Sequence, residues 1–520
     1  MEFIGREREL ARIKKTLKAP EQRNVLIYGR RRVGKSELIK QALTDLSGVA
    51  TVYYECRQTS EADNLESLSA LVAEALSFPP LAFTGIRELI EFLFAQAKDK
   101  NVTLVLDEYP YLRDAVKGLD SILQTSIDAH REDSRLNIVL CGSYVEIMKS
   151  LIEHESPLYG RIDLALELKP MDYFDAAKFY PAFSPEDKVR LYSVFGGIPF
   201  YNRLIDQSQS VRDNIIELVT EPGARLESEV PSYLNAEISK MTNANEVFGA
   251  LAQGYSRWGD VLAQSHVSSG PAMADVLDKL MSLEIVQKRA PINDPMNKRK
   301  SGYFVVDPLS LFYYRYVFRN ASARQLLDPE VFYDRHVSQD FEENYAPHMF
   351  EEICRQYLVR QNRAGKIEPA FDAIGKYWYD DPANKTSGEF DVVTQDPEAT
   401  HSTKQSSASP PLRKKWSMRK SPKSRQRGSS AIATDSSPAR ASKLTKAIEP
   451  SSSTCRRCLN RTGPTRIPSI HYLTERLFDG IRVRWNRPRP GLCYLDYLYD
   501  LNAAKEHRES EYGKKHRKLW

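Results

Sequence analysis

A short apolar run, Asn24 to Tyr28 (NVLIY), leads without a spacer into GRRRVGKS, and a helical pattern, ELIKQAL, comes directly after. Strand, glycine-rich turn and helix form the context in which a GxxxxGK[ST] spacing acquires physical meaning. Gly29 and Gly34 let the backbone curl so that the N–H groups of Arg30, Arg31, Arg32 and Val33 face one point. The helix that begins near Lys35 turns its positive end to the same point. Lys35 is placed to reach the β- and γ-phosphates of a nucleotide, and the Ser36 hydroxyl to ligate Mg2+. Such a turn belongs to an α/β sheet, so the rest of the chain must supply further strands.

A turn of this kind needs a second strand that ends in acid. Asn101 to Leu106 (NVTLVL) is a buried-strand run that ends in Asp107-Glu108. The first carboxylate is placed to hold Mg2+ through water, and the second to polarise an attacking water. Two adjacent acids after an apolar strand favour an additional-strand P-loop ATPase over a kinase or a GTPase. Leu136 to Cys141 (LNIVLC) reads as a further strand, and Gly142-Ser143 after it sets a polar group beside the γ-phosphate position. Asp163 to Leu168 (DLALEL) reads as the last strand, preceded by PLYGR. Arg161 there is a candidate sensor of γ-phosphate charge, in cis or as a finger in trans. A surface arginine in a turn accounts for it equally well.

Together FIGRE at the start, GRRRVGKS, LVLDEY, CGS, PLYGR and GGIPFYN resemble the archaeal-type ATPases, within the broader class of signal-transduction ATPases. The resemblance covers about residues 1–201. It implies ATP and Mg2+ as cofactors, a cradle for adenine around Ile4 and Gly5, and a Gly-Ile-Pro whose Pro199 closes over the base. The resulting division is a P-loop core with a parallel sheet over 1–170 and a helical lid over 171–240. Ser184-Pro185-Glu186 starts a lid helix, with serine as cap and proline at the first helical position.

Beyond the lid, Ala244 to Tyr255, Trp258 to Ser265 and Pro271 to Leu283 read as three helices. EIVQKRAPI and YFVVD then form a hairpin around NDPMNKRKSG. Three helices and a two-stranded wing predict a winged-helix domain over 241–320. Its expected recognition helix offers only Lys279 as a base against Asp275, Asp278 and Glu284, while Lys298, Arg299 and Lys300 lie on the wing. DNA through this domain is therefore one expectation, and packing against the nucleotide core is the other.

From Val337 an amphipathic helix, then IGKYWYD and GEFDVVTQD, resemble the start of a restriction-endonuclease-like domain over 337–398. That resemblance implies a metal site from Glu351 or Glu352 and from Asp391, completed by Glu-x-Lys on the next strand. The sequence has no such strand there. Residues 399–468 are Ser-, Lys- and Arg-rich with scattered aliphatics, unable to build a core, and 469–520 carry no assignable architecture. A strand left with an open edge is a liability, so a changed reading frame near residue 398 is expected ahead of a genuine disordered basic arm.

Charge divides the chain at the same place. The segment from Ala399 holds 27 of the 74 Lys+Arg and 9 of the 69 Asp+Glu, which leaves the first 398 residues with 47 against 60, a net −13. The basic balance belongs to the tail, which is one route to DNA. The six cysteines form no disulfide framework. Charges in MEFIGRERELARIKK and the lack of a bilayer-length apolar run predict a cytoplasmic protein without membrane contact. The remaining expectations are an unidentified protein partner, nucleotide-dependent self-association, and slow ATP hydrolysis that switches the lid and winged helix. The rivals are a nucleotide-gated scaffold and an ATP-regulated nuclease.

Overall fold

The computed structural model describes residues 3–44, 46, 48–232, 243–381, 386–396, 476–478, 481–489 and 492–498. Two compact units divide the chain, residues 1–370 and 371–520.

The first unit is organised by five parallel strands: β1 (Asn24–Tyr28), β2 (Ala50–Glu55), β3 (Val102–Asp107), β4 (Leu136–Gly142) and β5 (Leu164–Glu167), ordered β2-β3-β4-β1-β5. Every residue of β1, β3 and β4 is buried, as expected of central parallel strands covered by helices on both faces. Side chains alternate between the two layers. Val25, Ile27, Val105 and Val139 pack with the helices Glu7–Leu17 and Lys35–Leu43, while Leu26, Leu104, Leu106 and Leu140 pack with Ile86–Gln96 and Leu119–Ala129. Strand β4 lies between β1 and β3, which is the additional-strand order expected from Asp107-Glu108. β2 (ATVYYE) alternates too weakly to stand out in the sequence, and its register against β3 supplies the edge.

Residues after β5 cover the sheet's carboxyl ends. Ser184 caps the helix Pro185–Phe195 by accepting from Asp187 N at 3.1 Å, and a short helix, Pro199–Asn202, comes next. Helices Ala244–Ala252, Trp258–Ser265 and Gly270–Ser282 then precede the antiparallel hairpin β6 (Val286–Arg289) and β7 (Gly302–Val305). That is the order of elements a winged helix has. Helix Gly270–Ser282 leaves Asp275 and Asp278 exposed, while Lys279 Nζ donates to Glu146 Oε1 at 2.7 Å. Glu146 sits on the helix after Ser143, so the sole base of the expected recognition helix is bound to the ATPase core.

Helix Ala346–Arg363 buries Phe350 and Ile353 as its helical spacing predicts, while Tyr357 on the expected face is only half-buried and Leu358 beside it is buried instead. It is held against the lid, with Gln356 Oε1 accepting from Tyr173 N at 2.8 Å and Arg360 bridging to Asp172 at 3.1 Å. In the second unit, β8 (Ala373–Asp381) and β9 (Thr386–Gln395) pair antiparallel, and β10 (Arg476–Phe478), β11 (Ile481–Arg489) and β12 (Leu492–Leu498) extend the sheet in the order β10-β11-β12-β9-β8. The edge of the Asp391 strand is therefore paired: Val393, Thr394 and Gln395 face Tyr494, Cys493 and Leu492. This corrects the expectation of an open edge, and it gives part of 469–520 a place. The basic segment 399–468 lies outside the described residues.

Candidate nucleotide site

Strand β1 ends at Tyr28 and the chain turns sharply at Gly29. A Cβ on Gly29 would lie 2.3 Å from the Leu168 carbonyl oxygen, so only glycine fits between the turn and the end of β5. Lys35 opens the next helix and is 5% exposed. Its Nζ donates to the carbonyls of Gly29 (3.0 Å) and Arg30 (3.2 Å) and to Ser143 Oγ (3.0 Å). Ser143 in turn donates its hydroxyl to Glu108 Oε1 at 2.6 Å and its N–H to Oε2 at 3.1 Å. The ends of β1, β3 and β4 thus bring Lys35, Glu108 and Ser143 into one hydrogen-bonded chain.

Asp107 lies beneath them, 3% exposed. Tyr53 of β2 donates its hydroxyl to Asp107 Oδ2 at 2.5 Å. Burial opposes the Asp107 charge. Hydrogen bonds from Cys141, Ser36 and Tyr53 outweigh it and hold the carboxyl below its ordinary range. Burial in turn pushes the Tyr53 phenol well up, with Asp107 adding to the shift. A buried carboxylate beside the Ser36 hydroxyl is an oxygen donor set that suits Mg2+, which takes one or two protein ligands and the rest from phosphates and water. Among the described residues no three His, Cys, Asp or Glu side chains cluster into a closed metal cage.

A cleft of about 300 Å3 opens over these groups. Arg31, Arg32, Gly34, Lys35, Ser36, Glu108 and Ser143 line one part, and Ile4, Met171, Phe179 and Pro199 supply apolar wall. Pro199 stands over the turn, since a Cβ on Gly34 would be 3.6 Å from its Cγ. It is fixed by Gly197, where a Cβ would lie 1.8 Å from the Met171 carbonyl oxygen. Gly5 stands behind Ile4 against Asp175 rather than in the cleft. Arg6 binds the walls together, donating Nη2 to the carbonyls of Lys169 (2.6 Å) and Val33 (3.3 Å).

Four residues singled out in the sequence are employed elsewhere. Arg161 bridges bidentately to Asp128 at 2.7–2.9 Å, and its carbonyl accepts from Asn24 Nδ2. Asn24 begins β1 and the phosphate turn lies past its end, so at about 3.3 Å per residue Arg161 lies roughly 13 Å from the turn. It is no γ-phosphate sensor in cis. The Arg30 side chain leaves the cleft for Asp307, with Nη1 and Oδ1 at 2.5 Å and both residues nearly buried. Glu352 is held between Arg289 of β6 (3.2 Å) and Arg355 (3.0 Å), which keep its carboxyl low against burial. It is a structural ion pair rather than an available metal ligand. Asp391 is bridged by Lys376 of β8 at 2.8 Å.

Phe179, Phe200, Arg203 and Tyr53 escaped the sequence reading. GGIPFYNR contains two of them, but nothing in a linear pattern says which way a four-residue helix faces.

Residues 3–203 match the family model of an ATPase domain found predominantly in Archaea. The chain carries an archaeal-type ATPase domain. Residues 313–403 match a second family, archaeal and bacterial proteins of unknown function. The chain is 26% identical over 381 residues, 72% of its length and 82% of the relative, to uncharacterized protein MJECL04 of Methanocaldococcus jannaschii. It is 34% identical over 59 residues, 57% of the relative, to uncharacterized protein MJ0424 of the same organism. Among solved structures, the Walker-type ATPase PABY2304 of Pyrococcus abyssi aligns over 60% of this chain and 96% of that one, at 19% identity and a TM-score of 0.46. The ORC2 protein of Aeropyrum pernix in ADPNP–ADP complexes aligns over 62% and 96%, at 15% identity and 0.41. The cleft lined by Lys35, Ser36, Glu108 and Ser143 lies within the residues that match the ATPase domain. No helix among the described residues is long and apolar enough to cross a membrane.

Proposed function

We propose that the protein is an ATP-binding, slowly hydrolysing molecular switch that passes nucleotide state from the cleft to the helix–hairpin region and to the helix Ala346–Arg363. One observation carries the coupling. Arg30 in the phosphate turn is joined by a buried ion pair to Asp307, directly after the hairpin. Asp307 caps the helix Pro308–Phe312, and Pro308 packs on Gly196 beside the Gly-Ile-Pro lid. A movement of the turn is thereby a movement of both.

In this reading Lys35 faces the β- and γ-phosphates, and Ile4 and Pro199 enclose the base. Glu108 orients and polarises the attacking water, with Ser143 positioning it. Ser36 and Asp107 hold Mg2+, which when bound neutralises phosphate charge. DNA contact through helix Gly270–Ser282 is disfavoured by the Lys279–Glu146 pair and by its exposed aspartates.

Equilibrium binding and turnover of ATP test the reading. Lys35→Ala is expected to lose ATP binding, whereas Glu108→Gln is expected to bind ATP and to lose at least about a hundredfold in turnover. Wild-type turnover by the Glu108 variant would remove the catalytic assignment and leave a nucleotide-gated scaffold.

A further inference from the structure

Of the three arginines in the phosphate turn, Arg30 is turned away to Asp307, whereas Arg32 lines the cleft and is also bound to a distant segment. Its guanidinium is ion-paired with Glu229 and lies over the Phe200 ring, 4.3 Å from the centroid. Tyr201 donates its hydroxyl to the other Glu229 oxygen at 3.1 Å. Phe200 and Tyr201 belong to the same short helix as Pro199, which stands over Gly34. Two consecutive lid residues therefore hold one acidic side chain on a cation of the phosphate turn. Arg225 also reaches the Phe200 ring, at 5.8 Å from its centroid.

A guanidinium grips a carboxylate and a phosphate through the same pair of N–H donors. Arg32 is two residues from Gly34 and lines the same cleft as Lys35 and Ser36, so a nucleotide's phosphate oxygens come within its range. Glu229 is only 13% exposed, so the pair is shielded enough for the competition to matter.

The geometry points to Glu229 as an internal competitor of the nucleotide: Arg32 takes a phosphate oxygen of a bound nucleoside triphosphate, and in doing so releases the Glu229 side chain and loosens the turn around it. This rests on the nucleotide reading of the cleft and deepens it by naming the latch that occupancy opens. Leu226 and Val230 anchor the segment by burial, and Glu227 pairs separately with Arg324, so release is local to the Glu229 turn.

Calorimetric titration of the full chain with MgATP reads the competition. Glu229→Gln removes the rival charge and keeps a partner for Tyr201, and it is expected to tighten ATP about 10- to 150-fold, the range of one charge-assisted hydrogen bond. Arg32→Ala weakens ATP binding, and adding Glu229→Gln to Arg32→Ala changes affinity less than about twofold, because the two act through one contact. In the wild type, ATP is expected to speed amide hydrogen exchange at Glu229 and Ser232, a measurement that needs no variant to fold. Unchanged or weaker ATP binding by a folded Glu229→Gln, or slower exchange at those amides, overturns the latch. If Lys35→Ala loses ATP while Glu229→Gln binds it as wild type does, only the latch falls. If Lys35→Ala binds ATP normally, the nucleotide reading falls and the latch with it.

Discussion

Replacing Asp307 gives the sharpest test of how the ATPase core is joined to the chain beyond the hairpin. Arg30 is 11% exposed and Asp307 7%, so neither charge has water to fall back on. Removing one partner of such a pair leaves an uncompensated buried charge, at a cost of about 3–5 kcal/mol. Asp307 Oδ2 also accepts from Ser310 N at 3.0 Å, and Ala in place of this cap forfeits roughly 1 kcal/mol more, whereas Asn retains it. Asp307→Asn is thus expected to lose about 3–5 kcal/mol, and Asp307→Ala somewhat more. Urea unfolding followed by far-UV circular dichroism measures both, and Arg30→Met with Asp307→Leu is expected to recover most of the loss. The same pair sets an acid dependence. Burial alone would raise the Asp307 carboxyl, but Arg30 and Ser310 hold it below its ordinary 3.8. A depressed folded-state value means stability that is present above about pH 3.8 and is lost as pH falls through the lowered value. Asp307→Asn should flatten that part of the acid-unfolding curve. A loss under about 1 kcal/mol for Asp307→Asn, with an unchanged acid slope, would refute the argument that this pair fastens the phosphate turn to the chain after the hairpin.

Ser143→Ala breaks the link between Lys35 and Glu108; turnover is expected to fall at least about tenfold with ATP affinity changed less than threefold or so, and steady-state kinetics beside equilibrium binding separate the two. Truncation after Asp396 removes the basic tail, and duplex-DNA binding by mobility shift at increasing salt should largely disappear with it; retained salt-sensitive binding would instead direct attention to Lys298 and Arg299. Because β12 pairs with β9, an open edge no longer argues for a changed frame near residue 398; an apolar strand with Glu-x-Lys soon after Asp391 in another frame of the encoding DNA would restore that reading. Frames carrying stops and no such strand, or Mg2+-dependent cleavage of DNA that disappears in Asp391→Ala, would establish the tail as a genuine part of the protein.

Local chemistry in the sequence was sufficient for the phosphate turn, the acidic strand end and the three helices before the hairpin. In each, a short-range rule dominates: glycine where the backbone must curl, continuous apolar runs where a strand is covered on both faces, serine and proline where a helix begins. Those rules operate over a few residues, and so they are written in adjacent letters. Which charge meets which was decided only by the tertiary structure. PLYGR marks Arg161 as readily as GRRRVGKS marks Arg32, yet parallel strands carry the first to the amino end of β1 and the second to its carboxyl end. Glu352 reads as an inward acid, and only the packing of β6 against its helix brings Arg289 to neutralise it. The partners Asp307 and Glu229 lie 277 and 197 residues from the arginines they bind. A buried charge requires a counter-charge, but no sequence rule says where along the chain it will be found, because that depends on how whole elements stack.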